Sequence, residues 1–220
     1  MDWGALRLSL QLAGWTVLVL LPLGMLTARE LAWRRLRGRA WLEALIALPL
    51  VLPPTVLGYY LLSAFGGTAW LGSTYEWLFG RPLAFSFEGL LLASMLFNVP
   101  FAVQPMQRAF EAIPQEVREA AWVSGLSHWR TFWRIELPLA WPGIISAAVL
   151  TAAHTLGEFG VVLMIGGNIP GETRTISIAI YDRVQAFDES AAASMSALLL
   201  TSSLVAIAVV YVLADRRKRP

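Results

Sequence analysis

The sequence has no cysteine, and its only histidines are His128 and His154. Disulfides, zinc–thiolate sites and thiol catalysis are therefore excluded. The segment His154–Glu158 (HTLGE) does not complete the H-E-x-x-H motif of a metalloprotease helix, and no G-x-S-x-G nucleophile elbow is present. Paired carboxylates placed for acid–base work are not evident inside the hydrophobic runs. These absences argue against a membrane-embedded hydrolase.

Lysine is almost absent, since Lys218 is the only one. A nucleotide-binding P-loop needs a lysine directly after its glycines to reach the phosphates, so this chain cannot carry that motif. Any ATP-driven work must come from a separate chain. Charged residues make up only 15% of the sequence, against about 25% in ordinary soluble proteins. With 57% hydrophobic residues, the sequence predicts an all-α integral membrane protein.

Five apolar segments have about the length that a helix needs to cross the hydrocarbon core. They lie at residues 6–27, 42–64, 88–110, 141–165 and 191–213, within a single domain over 1–220. A cleaved signal peptide is the alternative for the first segment, but a basic start and a clear cleavage site are missing. Ten tryptophans and five tyrosines suit the lipid headgroup level.

Three regions interrupt this simple pattern. Pro49, Pro53 and Pro54 fall inside the second segment, where they predict either a kinked helix or freed carbonyls that line a polar cavity. Residues 65–87 predict a loop with a short interfacial helix at 75–79. Residues 175–186 are too short and polar to span, so they predict a half-length helix before the last span, with a sixth crossing left open.

Arginines cluster on one side of the predicted topology. With five spans, thirteen cations fall on one side and four (Arg7, Arg81, Arg174 and Arg183) on the other. The thirteen are Arg29, Arg34, Arg35, Arg37, Arg39, Arg108, Arg118, Arg130, Arg134, Arg216, Arg217, Lys218 and Arg219. The positive-inside rule therefore predicts an external N-terminus and a cytoplasmic C-terminus.

The longest polar interruption is Glu111–Ile144, and it is patterned. Pro114 suits a first helical turn, and residues 115–124 then predict a short helix. Gly125 is placed to end that helix in the left-handed conformation. Ser127 can cap a second helix, which Pro138 ends or kinks. A DNA-binding helix-turn-helix and an idle loop are the alternatives, but the closely flanking spans leave no room for a separate DNA-binding domain.

Within this stretch, REAAWVSGLSHWRTFWRIELPLAWPGI resembles the E-A-A-x-x-x-G motif, ending in I-x-L-P, of binding-protein-dependent ABC importer permeases. The matching residues are Glu119, Ala120, Ala121, Gly125, Ile135, Leu137 and Pro138. PLVLPPTVLGYYLL (Pro49–Leu62), LGEFG (Leu156–Gly160) and NIPGETRT (Asn168–Thr175) are similar to the sulfate and molybdate group, and GETRT favours its molybdate members. The resemblance covers about residues 6–213.

The resemblance implies the type I ABC importer permease architecture, in a bacterial cytoplasmic (inner) membrane, and molybdate as the substrate. It implies a non-catalytic subunit that pairs with a second copy of itself, a cytoplasmic ABC ATPase dimer and an external molybdate-binding protein, with no cofactor and no nucleic acid. Five residues would couple the permease to the ATPase: Glu119, Ala120, Ala121, Gly125 and Pro138. Ala120 and Ala121 are expected on the surface of a short helix, where their small side chains permit close approach.

Candidates for the translocation path or its gate are Thr55, Asn98, Thr151, Glu158, Asn168, Thr173, Arg174 and Ser177. Hydroxyls and amides within the spans suit the path, because neutral groups hold a dianion weakly enough to release it. Glu158 is expected near the outer gate, and Asn168 and residues 172–175 are expected to contact the gate or the binding protein. Bonds to their own or a neighbouring helix are the alternative. Glu158 can pair with His154 or Arg174, or bond to backbone. An ion-coupled secondary oxyanion transporter, with His154 and Glu158 as a proton relay, is the rival function. Tungstate and sulfate remain alternative substrates.

Overall fold

The computed structural model describes residues 1–34 and 37–216, and within these it describes all side chains except those of 209–210 and 213–216. This part of the chain is entirely helical and contains no strand. Its helices are α1 Trp3–Trp33, α2 Arg39–Val51, α3 Pro54–Phe65, α4 Trp70–Phe79, α5 Phe87–Glu111, α6 Gln115–Val123, α7 His128–Thr131, a π-helical turn Phe132–Glu136, α8 Leu137–Gly157, α9 Gly160–Gly166, α10 Ile176–Gln185 and α11 Glu189–Arg216.

Four helical stretches within these ranges are long and apolar enough to cross a membrane. They are Trp3–Trp33, Phe87–Glu111, His128–Gly157 and Glu189–Ala208. The bent pair α2 and α3 makes a fifth if it is counted as one span. The chain is therefore a multi-pass membrane protein with the predicted helical architecture. Of the cations predicted to be cytoplasmic, Arg35, Arg217, Lys218 and Arg219 lie outside the described residues.

The centre of the bundle consists of α1, α5 and α8. Small residues let α5 and α8 approach closely: a Cβ on Gly143 would lie 2.8 Å from the Pro105 carbonyl oxygen. Leu20, Leu31 and Phe110 are buried with their neighbours in the half of the bundle nearer α6. The half nearer the start of α1 contains a second buried cluster, to which α3 and α9 contribute.

The second predicted span is broken rather than kinked. Its two halves, α2 and α3, are bent by 107° at Leu52–Pro53. Leu52 has an extended backbone (ψ 134°), because the ring of a following proline disfavours the helical conformation. Pro53 and Pro54 cannot donate the N–H groups that would continue the ladder across the bend. The one helix expected over 42–64 is thus two short helices.

The fourth predicted span, residues 141–165, is shifted toward the N-terminus. Helical structure begins at His128 and runs through the π-helical turn into α8, which ends at Gly157. Pro138 therefore neither ends nor sharply kinks the chain. Its ring would clash with the carbonyl of Arg134 in a regular α-helix, and the wider π turn, in which the Leu137 N–H bonds to the Phe132 carbonyl, precedes it directly. Residues 160–166 form the separate helix α9.

The half-length helix predicted over 175–186 is present as α10, which covers ten residues. Ile176 and Ala179 on α10 pack with Ala5 of α1 and Met195 of α11. The short helix predicted over 75–79 is present as α4, which begins at Trp70, five residues before the predicted position. Helix α10 lies at the end of the bundle where α1 begins.

Candidate functional site

The segment between α5 and α8 forms the predicted helix–glycine–helix unit. Pro114 precedes α6, and Gly125 follows it with φ +83°, a conformation that glycine adopts at little cost. The N–H groups of Leu126 and Gly125 bond to the carbonyls of Ala121 and Trp122, as in a Schellman cap. Ser127 Oγ then accepts from the Arg130 N–H and caps α7. Both ends of α6 are thus fixed by local backbone chemistry.

The outward face of α6 carries two of the predicted coupling residues. Glu119 and Ala120 are exposed, and Glu119 Oε1 accepts a 2.6 Å hydrogen bond from Gln115. Gly125 and Pro138 are exposed as well. Ala121 is not on the surface as expected, because only 5% of it is exposed. At about 100° per residue, Ala121 turns to the same inner side as Arg118, three residues earlier.

The inward face of α6 is held by a buried ion cluster. The carboxylate of Glu136, in the π turn, is completely buried. It accepts 2.6 Å and 3.3 Å bonds from the Arg29 guanidinium of α1 and a 2.9 Å bond from Nε of Arg118 in α6. The Arg118 guanidinium also stacks on Trp33, 3.7 Å from the ring centroid. We call Arg29, Arg118 and Glu136 the buried triad.

Sequence reasoning missed the buried triad. Glu136 is the variable position of the I-x-L-P motif, so the motif itself gives it no weight. The available signal was its setting, a single carboxylate among Ile135, Leu137 and Leu139, because a charge in an apolar run needs a partner. The partner Arg29 is 107 residues away in the sequence and could not be assigned.

A second, half-exposed charged network lies at the same end of the bundle. Arg39 of α2 bonds to Glu43 and, at 2.6 Å, to Glu111 at the end of α5. Gln107 donates to both of these carboxylates, and Arg108 bonds to Glu111 at 3.1 Å. Beside it, a pocket of about 970 Å³ opens between the ends of α1 and α5 and helix α6. We call this the basic end of the bundle.

A neutral hydrogen-bonded belt crosses the middle of the bundle. Asn98 of α5 donates to Thr155 of α8 at 3.1 Å, and its oxygen lies 3.1 Å from Nδ1 of His154. Thr16 of α1 donates to Ser94 at 2.9 Å. Phe97 and Phe101 stack on the His154 ring. Asn98 is fully buried, so it joins helices, as one of the two sequence interpretations predicted.

The two helix breaks lie side by side beyond this belt. A Cβ on Gly160, at the start of α9, would lie 2.8 Å from Cβ of Pro54, at the start of α3. Thr55 is exposed beside the first break. Glu158 forms the second break, and its carboxylate accepts from the Val161 N–H at 2.8 Å. Ser177 donates to the Glu158 carbonyl at 2.6 Å. We call this region the paired breaks.

Glu158 and His154 do not form the pair that a proton relay requires. Among the described residues, the carboxylate of Glu158 caps α9, whereas Nδ1 of His154 bonds to Asn98. Two other path candidates, Thr151 and Thr173, are fully buried. Thr173 is bonded within its loop, to the Gly166 carbonyl at 2.6 Å, and the Thr151 hydroxyl has no hydrogen-bond partner in the part of the chain that the structure describes. Neither faces an open surface in this conformation.

Asn168 and Arg174 meet at the end opposite the basic end. Nε of Arg174 donates to Asn168 at 2.6 Å, and Asn168 donates to Asp182 of α10 at 2.7 Å. Arg174 also lies 3.9 Å from Asp2, at the start of α1. This cluster ties the loop after α9 to α1 and α10. In the described ranges, no group of three or more His, Asp or Glu side chains is arranged to hold a metal ion.

Several known transport proteins are similar in sequence to this chain. The family model described as "Binding-protein-dependent transport system inner membrane component" matches residues 21–219. The molybdenum transport system permease protein ModB of Azotobacter vinelandii is 45% identical over 210 residues, which cover 96% of this chain and 93% of that protein. ModB of Escherichia coli (strain K12) is 39% identical over 94% of this chain and 90% of its own length.

Proteins of lower sequence identity are also similar to this chain. A probable sulfate transport system permease protein cysT of Chlorella vulgaris is 32% identical over 91% of this chain and 75% of its own length. In a crystal structure of a bacterial alginate ABC transporter with its alginate-bound periplasmic protein, one chain superposes with a TM-score of 0.78 at 19% identity, covering 98% of this chain and 79% of that chain. At that identity the likeness shows the fold alone, which is the predicted ABC importer permease fold.

Proposed function

The chain belongs to the family of binding-protein-dependent transport system inner membrane components, and we propose that it is the membrane subunit of an ATP-driven molybdate importer. The observation that carries this proposal is α6. It is a short helix with both ends fixed, its outer face exposed and its inner face held by the buried triad. A surface of this kind suits docking of a separate chain.

Docking at α6 supplies the energy source that this chain lacks. The single lysine, Lys218, leaves no residue for a P-loop, so the proposal assigns ATP hydrolysis to a pair of ATPase chains and no catalysis to this subunit. Glu119 offers a carboxylate, and Ala120 leaves little bulk between α6 and a partner groove. Gly125 keeps the sharp turn that fixes α6 relative to α7.

The lack of burial along α2, the first half of the second span, supports a dimer of two identical subunits. None of the residues of α2 is buried, although the chain turns by 107° directly after it. A bend of this kind exposes backbone groups that lipid cannot satisfy, so at membrane depth it must face protein or a water-filled cavity. A second copy packed against α2 and α3 provides both, with the path between the copies.

The paired breaks are the best place for that path. Discontinuous helices near the midplane bring helix N-termini toward anionic substrates in other transporters. The start of α3 has no side-chain cap, and exposed Thr55 stands there as a neutral hydroxyl. Glu158 and Ser177 border the same region as gate residues. Asn98 and Thr151 are assigned to helix packing and Thr173 to the structure of its loop instead, because all three are buried.

The arrangement of charge supports the orientation. The basic end holds Arg29, Arg39, Arg108 and Arg118, and the positive-inside rule places it in the cytoplasm of a bacterial inner membrane. The N-terminus is then external and the C-terminus cytoplasmic. The cluster of Asn168 and Arg174 lies at the external end, where an oxyanion-binding protein would dock.

The test is reconstitution with an ABC ATPase and a molybdate-binding protein from the same organism. We expect ATP-dependent uptake of molybdate into proteoliposomes, insensitive to an uncoupler. Tungstate should compete, because its size and charge are nearly the same. Sulfate is the second candidate substrate, since sulfate permeases are also similar to this chain. Uptake that persists without ATP and collapses with an uncoupler would instead support an ion-coupled carrier.

A further inference from the structure

The buried triad joins three separate segments at one carboxylate. Among the side chains that the structure describes, Glu136 is the only charged one that is fully buried. Its two oxygens are shared between arginines of different helices, since Oε2 accepts from Arg29 and Oε1 accepts from Arg118 and, more distantly, Arg29. The side chains of Arg29 and Arg118 are only 21% and 11% exposed. Glu136 is therefore shielded from water, whereas Arg29 and Arg118 also line the open pocket beside α6.

Shielding makes the geometry of the triad strict. A buried carboxylate is stable only when its lone pairs are satisfied, so Glu136 cannot release either arginine cheaply. The guanidinium groups are planar forks and are further held by aromatic rings. Arg118 stacks on Trp33 of α1, and Arg29 lies 5.3 Å from the centroid of Phe132. A displacement of α6 must therefore move Glu136 and the end of α1 with it.

The π-helical turn places this carboxylate at the start of a membrane-spanning helix. Glu136 is the last residue of the turn and directly precedes α8, which runs from there to the paired breaks at Glu158. Arg29 lies on α1, which is one unbroken helix of 31 residues. Movement received by Glu136 thus reaches two of the three central helices.

We propose that Arg118 and Glu136 are positioning residues for transport: they transmit displacement of α6 to α8, and with Arg29 to α1. This inference rests on the proposed function, because it assumes that an ATPase drives α6. It adds to that function the physical joint between the docking surface and the spans. Neither residue touches the substrate. If Arg118 and Glu136 only stabilised the fold, substituting them would change only the amount of assembled complex.

The test uses the complete complex of permease, ATPase and binding protein in proteoliposomes, with molybdate as the substrate. Arg118→Met cuts the link to α6 but leaves Glu136 paired with Arg29, so the buried charge keeps a partner. Arg108→Met is the matched control, since Arg108 is an 81% exposed arginine at the same end that bonds to Glu111. Two ratios are measured per assembled complex: molybdate transported per ATP hydrolysed, and the stimulation of ATPase activity by loaded binding protein.

We expect both ratios to fall at least about fivefold in Arg118→Met, the lower range of typical coupling between sites, while the basal ATPase rate persists. Arg108→Met should match the wild type. Arg118→Lys keeps the positive charge but lacks the planar guanidinium, so it should give intermediate ratios. If Arg118→Met forms no complex, the same two ratios are measured for Arg118→Lys. Ratios equal to wild type in the variant measured would overturn the inference. Absence of ATP-driven oxyanion uptake by the wild type would overturn the proposed function instead.

Discussion

The two ends of α8 are held in different ways. At its start, the fully buried carboxylate of Glu136 binds two partly buried arginines. Toward its other end, His154 and Thr155 meet Asn98 through neutral hydrogen bonds, and the helix stops at Glu158. The same helix is therefore fixed by charge at the basic end and by weaker dipoles in the middle of the bundle.

This difference fits the separate tasks of a transport subunit. Breaking a buried ion pair costs several kcal/mol, whereas interhelical hydrogen bonds in membranes average about 0.6 kcal/mol. The contact that transmits movement of α6 has to stay intact, whereas a region that alternates between two conformations has to exchange its contacts at a low cost in free energy. We therefore expect substitutions at the basic end to affect stability more than those in the neutral belt.

The largest effect is expected from Glu136→Ala, which leaves two partly buried arginines without their acceptor. The loss should be about 3–5 kcal/mol, seen as a lower melting temperature and a poor yield of folded subunit in detergent. Glu30→Gln is the control, because Glu30 lies on α1 beside Arg29 but is half-exposed. Equal stability of the two variants would contradict the difference between the ends of α8.

Gly125→Val should have the next largest effect, about 1–2 kcal/mol, because a β-branched residue is strained at φ +83°. The matched control is Gly80→Val after α4, where φ is +68° and a Cβ would also meet open space. Both variants should lose similar stability, but only Gly125→Val should lower ATP-driven uptake. Equal loss of uptake in both would show that the strain alone, and not its place beside α6, matters.

Asn98→Ala tests the neutral belt. It removes the bonds to Thr155 and His154, and we expect a loss of about 1 kcal/mol, which thermal unfolding in detergent can detect. Ser146→Ala is the control, since the Ser146 hydroxyl bonds only to the Pro142 carbonyl of its own helix. A loss of stability for Asn98→Ala as large as that for Glu136→Ala would contradict the difference between the charged contacts at the start of α8 and the neutral ones in the belt.

Glu119→Gln should have the smallest effect on the isolated subunit. The side chain is exposed, so the change in stability should stay within about 0.5 kcal/mol. Assembly with the ATPase, measured by co-purification, should nevertheless weaken if Glu119 meets a cation of the partner. Glu116→Gln, also exposed on α6, serves as the control. Unchanged assembly in Glu119→Gln would exclude a partner contact through its charge.

Local rules predicted much of the fold. Gly125 and Ser127 carry their cap chemistry in their own residue types, so the helix–glycine–helix unit could be recognised without tertiary information. The half-length α10 followed from its length and polarity. The broken second span and the shifted fourth span were harder, because hydropathy averages over many residues and does not register a π turn or a bend.

Local rules likewise predicted only part of the candidate site. Exposure of Glu119 follows from a polar residue on a short helix, whereas the inward position of Ala121 depends on where α6 packs. The buried triad and the contact of Gly160 with Pro54 join residues far apart in the chain. Single-sequence periodicity contains no information on such pairings, so the joint between α6 and the spans became visible only in three dimensions.

The π-helical turn also limits how the length of this segment can change in evolution. Each residue of a helix adds about 100° of rotation, so deleting one residue from Phe132–Glu136 would turn the preceding segment by that angle relative to α8. Arg118 would then face away from the carboxylate that receives it. We expect related sequences to vary in length freely around Gly66–Gly67 and Gly80, and to keep the spacing between Arg118 and Glu136 constant.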